Sequence, residues 1–294
     1  MTQQRGQVSV LTGIDSGAYP HGNSVLVAGT DETVLIDPSM SVAEWGGVGP
    51  VDRVVLSHVH EDHVAGLATY AGAPVHAHRL DVAALASLDA MVASYGFDDP
   101  AAEAVFAQIL VDEFNFVARP DTLCFDEGDT FDVGGSTIEV IGAPGHTPGH
   151  CCLLIEPESV LYLGDIELTG FGPYYADRDS SLEAFEATIE RCRGIEAAWY
   201  VTFHHKGTYT DRAEFLAQLE VFASAIERRD QLLLEYLRTP QTLSDLVEQR
   251  ILYRPHVELT WVDEAERNSI TQHLARLEHR GLVSFDGDRW RRAG

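Results

Sequence analysis

Short runs of β-branched residues alternate with turns rich in Gly, Pro and Asp over roughly the first 200 residues. This alternation is typical of β-strands. It predicts strands at Val8–Leu11, Ser24–Ala28, Thr33–Asp37, Arg53–Ser57, Val75–Ala77, Thr137–Ala143, Cys151–Ile155, Val160–Leu163 and Trp199–Thr202. Apolar residues at helical spacing predict helices at Asp81–Ser94, Ala101–Phe114 and Leu182–Arg193. The order of these elements favours an α/β fold in which two sheets pack together with helices on both outer faces.

The pattern changes to a helical one after Asp211. A long helix is predicted at Ala213–Leu237, followed by helices at Ser244–Leu252 and Glu264–Arg280 and strands at Leu282–Phe285 and Arg289–Arg291. Two helices followed by a strand pair around Asp286-Gly287-Asp288 outline a small α+β winged-helix-like domain. We therefore predict a main domain over residues 1–212, a linker helix over 213–238 and a winged-helix-like domain over 239–294.

The charge balance restricts the partners. The 294 residues include 20 Lys and Arg against 46 Asp and Glu, a net charge of −26. Such a field repels phosphodiester backbones and anionic lipid, which argues against a nucleic-acid partner. The sequence contains no apolar run of the roughly 20 residues that a membrane helix needs and no apolar N-terminal segment. We therefore expect a cytoplasmic protein that does not enter the membrane.

The strongest chemical signal is Ser57-His58-Val59-His60-Glu61-Asp62-His63, directly after a predicted strand. It places three imidazoles and a carboxylate where they can converge on one or two metal ions. Further ligand-type side chains follow the ends of other predicted strands, namely His146, His150, Asp165, His204 and His205. A surface cluster of histidines would not coincide with so many strand ends, so the pattern predicts a metal centre.

The series His58-x-His60-x-Asp62-His63, then His146, Asp165 and a late histidine, resembles the metallo-β-lactamase superfamily of metallohydrolases. The resemblance extends over about residues 8–209 and implies an αββα metallo-β-lactamase sandwich. It implies that His58, His60 and His146 hold one metal ion, that Asp62, His63 and the late histidine hold a second, and that Asp165 bridges the two. Two residues can supply the late histidine, and we favour His204 over His205. Zinc is the expected metal, although a His/Asp site also accepts iron or manganese.

The resemblance also implies a mechanism. Two divalent cations that share a hydroxide can hydrolyse a substrate without a covalent enzyme intermediate. Asp62 is the predicted catalytic residue, because a carboxylate in that place can orient the hydroxide and accept its proton. Asp37, His150 and His205 are predicted to lie next to the metal ligands and to orient them by hydrogen bonds. By their positions in the sequence, we expect substrate contacts from His21, Phe171, Tyr174 and Tyr175, and we expect the segment Asp81–Phe116 to narrow the mouth of the site.

Differences between this sequence and individual subfamilies of the superfamily limit the choice of reaction and substrate. His63 stands where true β-lactamases commonly have Arg, which favours a small thioester or lactone substrate, or a phosphoester, over an antibiotic. A mononuclear iron dioxygenase of the persulfide type would use only the equivalents of His58, His146 and Asp165, and the complete second set favours hydrolysis instead.

A DNA-binding or regulatory protein of this fold is a third possibility. Residues 239–294 carry eight Arg and no Lys against nine acidic residues, so they are hardly basic. The apolar residues Leu252, Tyr253, Val257, Leu259 and Trp261 predict instead that this part packs on the main domain or on a second subunit of a homo-oligomer.

Overall fold

The computed structural model describes residues 2–205 and 207–293, and within them the strands form two mixed sheets and a separate hairpin. The first sheet runs antiparallel from β1 to β4 and parallel from β4 to β7. Its strands in spatial order are β1 (Thr2–Arg5), β2 (Val8–Leu11), β3 (Ser24–Ala28), β4 (Thr33–Ile36), β5 (Arg53–Val55), β6 (Val75–His78) and β7 (Leu123–Phe125).

The second sheet is antiparallel except for one pair. Its strands are β8 (Thr130–Asp132), β9 (Thr137–Gly142), β10 (Cys151–Glu156), β11 (Val160–Tyr162), β12 (Trp199–Val201) and β13 (Thr208–Tyr209). Only β11 and β12 run parallel among the strand pairs that are described for this sheet.

Helices cover the outer faces of both sheets and build the C-terminal part. They are α1 (Met40–Glu44), α2 (Glu61–Val64), α3 (Leu88–Tyr95), α4 (Pro100–Asp112), α5 (Leu182–Gly194), α6 (Arg212–Tyr236), α7 (Leu243–Gln249) and α8 (Val262–His279). The facing sides of the two sheets share a core of β-branched and aromatic side chains such as Val25, Val140 and Tyr162. A second core lies between β10–β12 and helices α5 and α6, and a third lies between the first sheet and α3 and α4. The predicted α/β sandwich is therefore confirmed.

The parallel pairs decide where the site lies. Because β4 and β5 run in the same direction, the residues that follow them, Asp37 and Ser57, emerge at one edge of the first sheet. The pair β11 and β12 likewise brings Asp165 and His204 to one edge of the second sheet. The two edges meet, since the Tyr162 hydroxyl donates to Asp37 Oδ2 across 2.7 Å.

The C-terminal part is built on α6. The first half of α6 packs on the second sheet through Phe215 and Phe222. Its second half shares a separate small core with α7, α8 and β14 (Val283–Phe285), which pairs with β15 (Trp290–Arg292). The helix predicted as a linker is thus packed along its whole length. None of the described helices is both long and apolar enough to cross a membrane.

Two predicted helices are shorter than the sequence pattern indicates. The segment Asp81–Ser94 breaks at Ser87, whose extended backbone ends a 3₁₀ turn and whose hydroxyl accepts from Ala90 N to start α3. Helix α7 ends at Gln249 because Arg250 has a φ of +62°. The amides beyond it donate instead to the buried Glu266 carboxylate.

Candidate metal centre

The first group of facing donors consists of His58, His60, His146 and Asp165. His58 Nε2 lies 3.1 Å from His60 Nδ1 and 3.1 Å from His146 Nε2. Asp165 Oδ2 lies 3.2 Å from His146 Nε2. Nitrogen atoms that share a tetrahedral zinc ion are roughly 3.3 Å apart, so these spacings are compatible with a shared metal ion.

The second group consists of Asp62, His63 and His204. His204 Nε2 lies 2.9 Å from Asp62 Oδ2, and His63 Nε2 lies 2.9 Å from Asp165 Oδ1. The two oxygen atoms of Asp165 therefore face one imidazole of each group. A carboxylate in that position can join two cations.

The second nitrogen of several rings shows where the hydrogen lies. His146 Nδ1 donates to the Tyr174 carbonyl across 2.9 Å, and His204 Nδ1 faces the Gly17 carbonyl at 3.2 Å. The Asp177 carboxylate, 3.0 Å from His60 Nε2, favours the hydrogen on that atom. The opposite nitrogen of each ring then presents a lone pair to another acceptor. Asp62 Oδ2 is buried and lies 2.9 Å from His204 Nε2. Acceptors that face each other in this way require either a proton or a metal ion between them.

Asp37 holds the edge of the site together. Its buried carboxylate accepts from Ser57 N (2.7 Å), His63 Nδ1 (2.8 Å) and the Tyr162 hydroxyl (2.7 Å). A φ of +48° turns the chain sharply at this residue, a conformation that Asp tolerates better than most residues. Asp37 thereby fixes the ring of His63.

The environment shifts the pKa values of the site strongly. Burial lowers the pKa of His58, and the neighbouring rings of His63 and His146 lower it further. Burial acts in the same direction on His60, but Asp177 overcomes it and raises the pKa of His60 to about 9. For His204 the effect of burial is likewise outweighed, and Asp62 and Asp165 raise its pKa to about 10. His60 and His204 therefore hold protons at neutral pH when no cation is bound.

A cavity of about 300 Å³ opens beside the candidate metal ligands. Aromatic and apolar side chains form much of its wall, together with the carboxylates of Glu61, Asp62, Asp165 and Glu167. The aromatic and apolar residues are Tyr19, Tyr95, Phe106, Phe171, Tyr174, Tyr253, Leu259 and Trp261. The roof comes from the C-terminal part and from the segment Asp81–Phe116, as the ring contact between Phe106 and Trp261 illustrates.

A family model for the metallo-beta-lactamase superfamily matches residues 20–205 of this fold and site. The chain belongs to this superfamily. The hydroxyacylglutathione hydrolase of Acidiphilium cryptum is 30% identical over 211 residues, which cover 69% of this chain and 72% of that protein. The thioesterase pkgB of Emericella nidulans is 24% identical over 220 residues, which cover 66% of this chain and 54% of that protein.

A solved structure of a metallo-beta-lactamase family protein from Thermus thermophilus superposes with a TM-score of 0.70 at 23% identity. The superposition covers 97% of this chain and 98% of the other, so the likeness in fold extends into the C-terminal part. Together with the family model, it confirms the metallo-β-lactamase sandwich.

The structure corrects two of the predicted substrate contacts in this metallo-β-lactamase fold. Tyr175 is completely buried away from the cavity, and its hydroxyl donates to His273 Nε2 across 2.7 Å. The His21 ring also lies outside the cavity wall and faces Glu44 at 2.9 Å. Phe171 and Tyr174 do line the cavity, so they stay candidates for substrate contacts.

The predicted supporting histidines lie in different places. His150 is buried, and its Nδ1 donates to the Ala143 carbonyl while its Nε2 accepts from Asp165 N across 3.1 Å. It therefore holds the backbone of a candidate ligand. His205 is exposed at the cavity wall and belongs to neither group of facing donors, which supports the preference for His204.

Sequence reasoning missed several residues of the site. Asp177 follows an aromatic run without a motif. Glu61 lies inside the histidine motif, and its buried carboxylate accepts from the hydroxyls of Tyr19 and Tyr95. Burial raises the pKa of Glu61, and the neighbouring Asp62 raises it further. The position of Glu61 between the ligand candidates His60 and Asp62 is the feature of the sequence that could have identified it.

Metal binding should release protons, because His60 and His204 have pKa values of about 9 and about 10 without metal and hold protons at neutral pH. A cation must displace them, so the apparent affinity for zinc should rise as the pH rises from 6 towards 9. Calorimetric titration of the metal-free protein in buffers of different ionisation enthalpy measures this, and zinc binding should release protons at pH 7. Zinc binding that is independent of pH in this range would contradict the proton positions described above.

Proposed function

We propose that the protein is a binuclear metal-dependent hydrolase that cleaves a small ester-like substrate, with a thioester favoured, a lactone next and a phosphoester after them. The observation that carries the proposal is the position of Asp165, whose two oxygen atoms face His146 and His63. One donor group would hold each cation, and Asp165 would join them. Zinc is the proposed metal because neutral imidazoles and carboxylates at these spacings suit its tetrahedral coordination.

When bound, the ions would supply Lewis acidity and lower the pKa of water towards neutrality. The protein's own part starts with Asp62, whose Oδ2 is buried beside the cavity, 2.9 Å from His204 Nε2. This atom can orient an attacking water molecule and accept its proton. Glu167 lines the same cavity, where burial raises its pKa to about 7, so that it can exchange a proton near neutral pH.

The cavity supports a small substrate with an apolar or aromatic acyl group. Its volume of about 300 Å³ lies at the lower end of the range for small-molecule sites. No Lys or Arg lines it among the described residues, so the acyl group inside it need not be anionic. The names of the two relatives, a hydroxyacylglutathione hydrolase and a thioesterase, favour thioesters within this class.

The two alternatives have less support. An iron dioxygenase would need only His58, His146 and Asp165, and it gives no reason for Asp62, His63 and His204 to converge beside them. For a DNA-binding role, the net charge of −26 opposes contact with the duplex. Helices α7 and α8 with the hairpin β14–β15 fit a winged-helix-like domain, and we propose that it serves to complete the enzyme rather than to bind nucleic acid.

Replacement of Asp62 by Ala tests the mechanism. D62A should lower kcat/KM for a short-chain acyl thioester on the order of 100-fold or more, because it removes a candidate ligand and the proton acceptor together. Steady-state assays with D112A as the matched control, which truncates an exposed aspartate on α4, separate this effect from a general charge effect. Wild-type turnover in D62A would contradict the proposed role of Asp62. A wild-type protein that cleaves no thioester, lactone or phosphoester would contradict the proposed function.

The last ligand is tested by a pair of neighbouring variants. H204A should lose one of the two bound metal ions, because His204 Nε2 faces Asp62 within the second donor group. H205A should keep a metal content near that of the wild type, because His205 belongs to neither donor group. Elemental analysis after zinc loading and dialysis measures both, and the opposite result would assign the ligand to His205.

A further inference from the structure

We propose that helix α8 positions two of the candidate metal ligands from the far side of the cavity wall, and that Asn268 and Gln272 are the positioning residues. This inference rests on the proposed metal centre. It assigns to the C-terminal part a direct role in the geometry of that centre. The connecting element is the segment of residues 173–177, called here the strap.

The strap has no regular secondary structure, so its carbonyl groups must find other partners. Side chains of α8 and α6 supply them. Gln272 Nε2 donates to the Tyr175 carbonyl and Asn268 Nδ2 to the Ala176 carbonyl, each across 2.8 Å. Arg229 of α6 donates to the Pro173 carbonyl across 2.6 Å. The path of the strap is therefore fixed by side chains that lie more than 50 residues away in the sequence.

The strap in turn holds two imidazoles of the first donor group. The Tyr174 carbonyl, between the two anchored ends, accepts from His146 Nδ1 across 2.9 Å. The carboxylate of Asp177, directly after Ala176, lies 3.0 Å from His60 Nε2. Partners of this kind set the tautomer and the orientation of a metal-binding ring, and their loss weakens metal affinity by about 10-fold to 100-fold.

Gln272 is itself held in place by a second hydrogen bond. Gln272 Oε1 accepts from Leu182 N across 2.7 Å, so that its amide group cannot turn without losing a second bond. The next residue, His273, accepts from the Tyr175 hydroxyl at Nε2 and donates from Nδ1 to the buried Asp230 across 2.6 Å. The polar groups of Gln272 and His273 that face the strap are thus all hydrogen-bonded. A fully hydrogen-bonded network of this kind keeps a single geometry.

The test uses the full-length, metal-free protein and measures its affinity for zinc by competition with a chromophoric chelator, alongside its thermal unfolding. The variants are N268A, Q272A and Q272E. Q272E keeps the oxygen acceptor for Leu182 N but replaces the donor to the Tyr175 carbonyl by a carboxylate oxygen. It is therefore a second, more conservative variant should Q272A fold poorly.

Two controls separate positioning from stability. T271A truncates an exposed neighbour on α8 whose hydroxyl donates only to the Arg267 carbonyl of the same helix in the contacts described. V283A removes methyl groups from the small core beneath α8 without touching the strap. V283A should lower the midpoint of thermal unfolding and leave zinc affinity unchanged, and T271A should change neither.

We expect N268A, Q272A and Q272E to bind at least one zinc ion about 10-fold to 100-fold more weakly than the wild type. Wild-type affinity in all three would overturn the inference and leave the proposed function standing. A loss of affinity in V283A equal to that in Q272A would also overturn it, because the effect would then follow stability alone. A wild-type protein that binds no zinc would overturn the proposed function itself, together with the inference that rests on it.

Discussion

The structure depends on one electrostatic constraint. Ring nitrogens and carboxylate oxygens from separate loops face each other across about 3 Å in a buried place, as His58 Nε2 and His146 Nε2 do. Lone pairs that face each other repel, and burial removes the water that would otherwise screen them. Positive charge between them turns that repulsion into attraction. Protons or cations between the donors supply this charge, and the hydrogen bonds on the outer side of the rings keep them pointed inwards.

The fold meets this constraint by bringing strand ends together. The parallel pairs β4–β5 and β11–β12 each deliver two loops to the same edge of a sheet, and Asp37 ties the two sheets at that edge through His63 and Tyr162. The first helix of the C-terminal core then contributes from outside the sandwich, since α6 packs on the second sheet and also anchors the strap through Arg229. The C-terminal part is in this way connected to the candidate site by direct contacts.

Local patterns in the sequence predicted most of the strands and the positions of the donors, because strand alternation and clustered histidines depend on neighbouring residues. Strand β1 (Thr2–Arg5) escaped prediction because all four of its residues are polar and exposed at a sheet edge. Asp177, Gln272 and Glu266 escaped because their roles arise only from contacts between distant segments. Tyr175 was assigned to the substrate by its place after Asp165, but its partner His273 lies 98 residues later in the chain. The roles of the recognised donors as ligands stay predictions.

Anomalous X-ray scattering from crystals of the zinc-loaded protein, recorded on both sides of the zinc absorption edge, tests the central claim most directly. We expect two zinc peaks in each chain, one in contact with His58, His60 and His146 and the other with Asp62, His63 and His204, with Asp165 touching both. A single peak bound by His58, His146 and Asp165, with Asp62 turned away from it at full metal loading, would contradict the account.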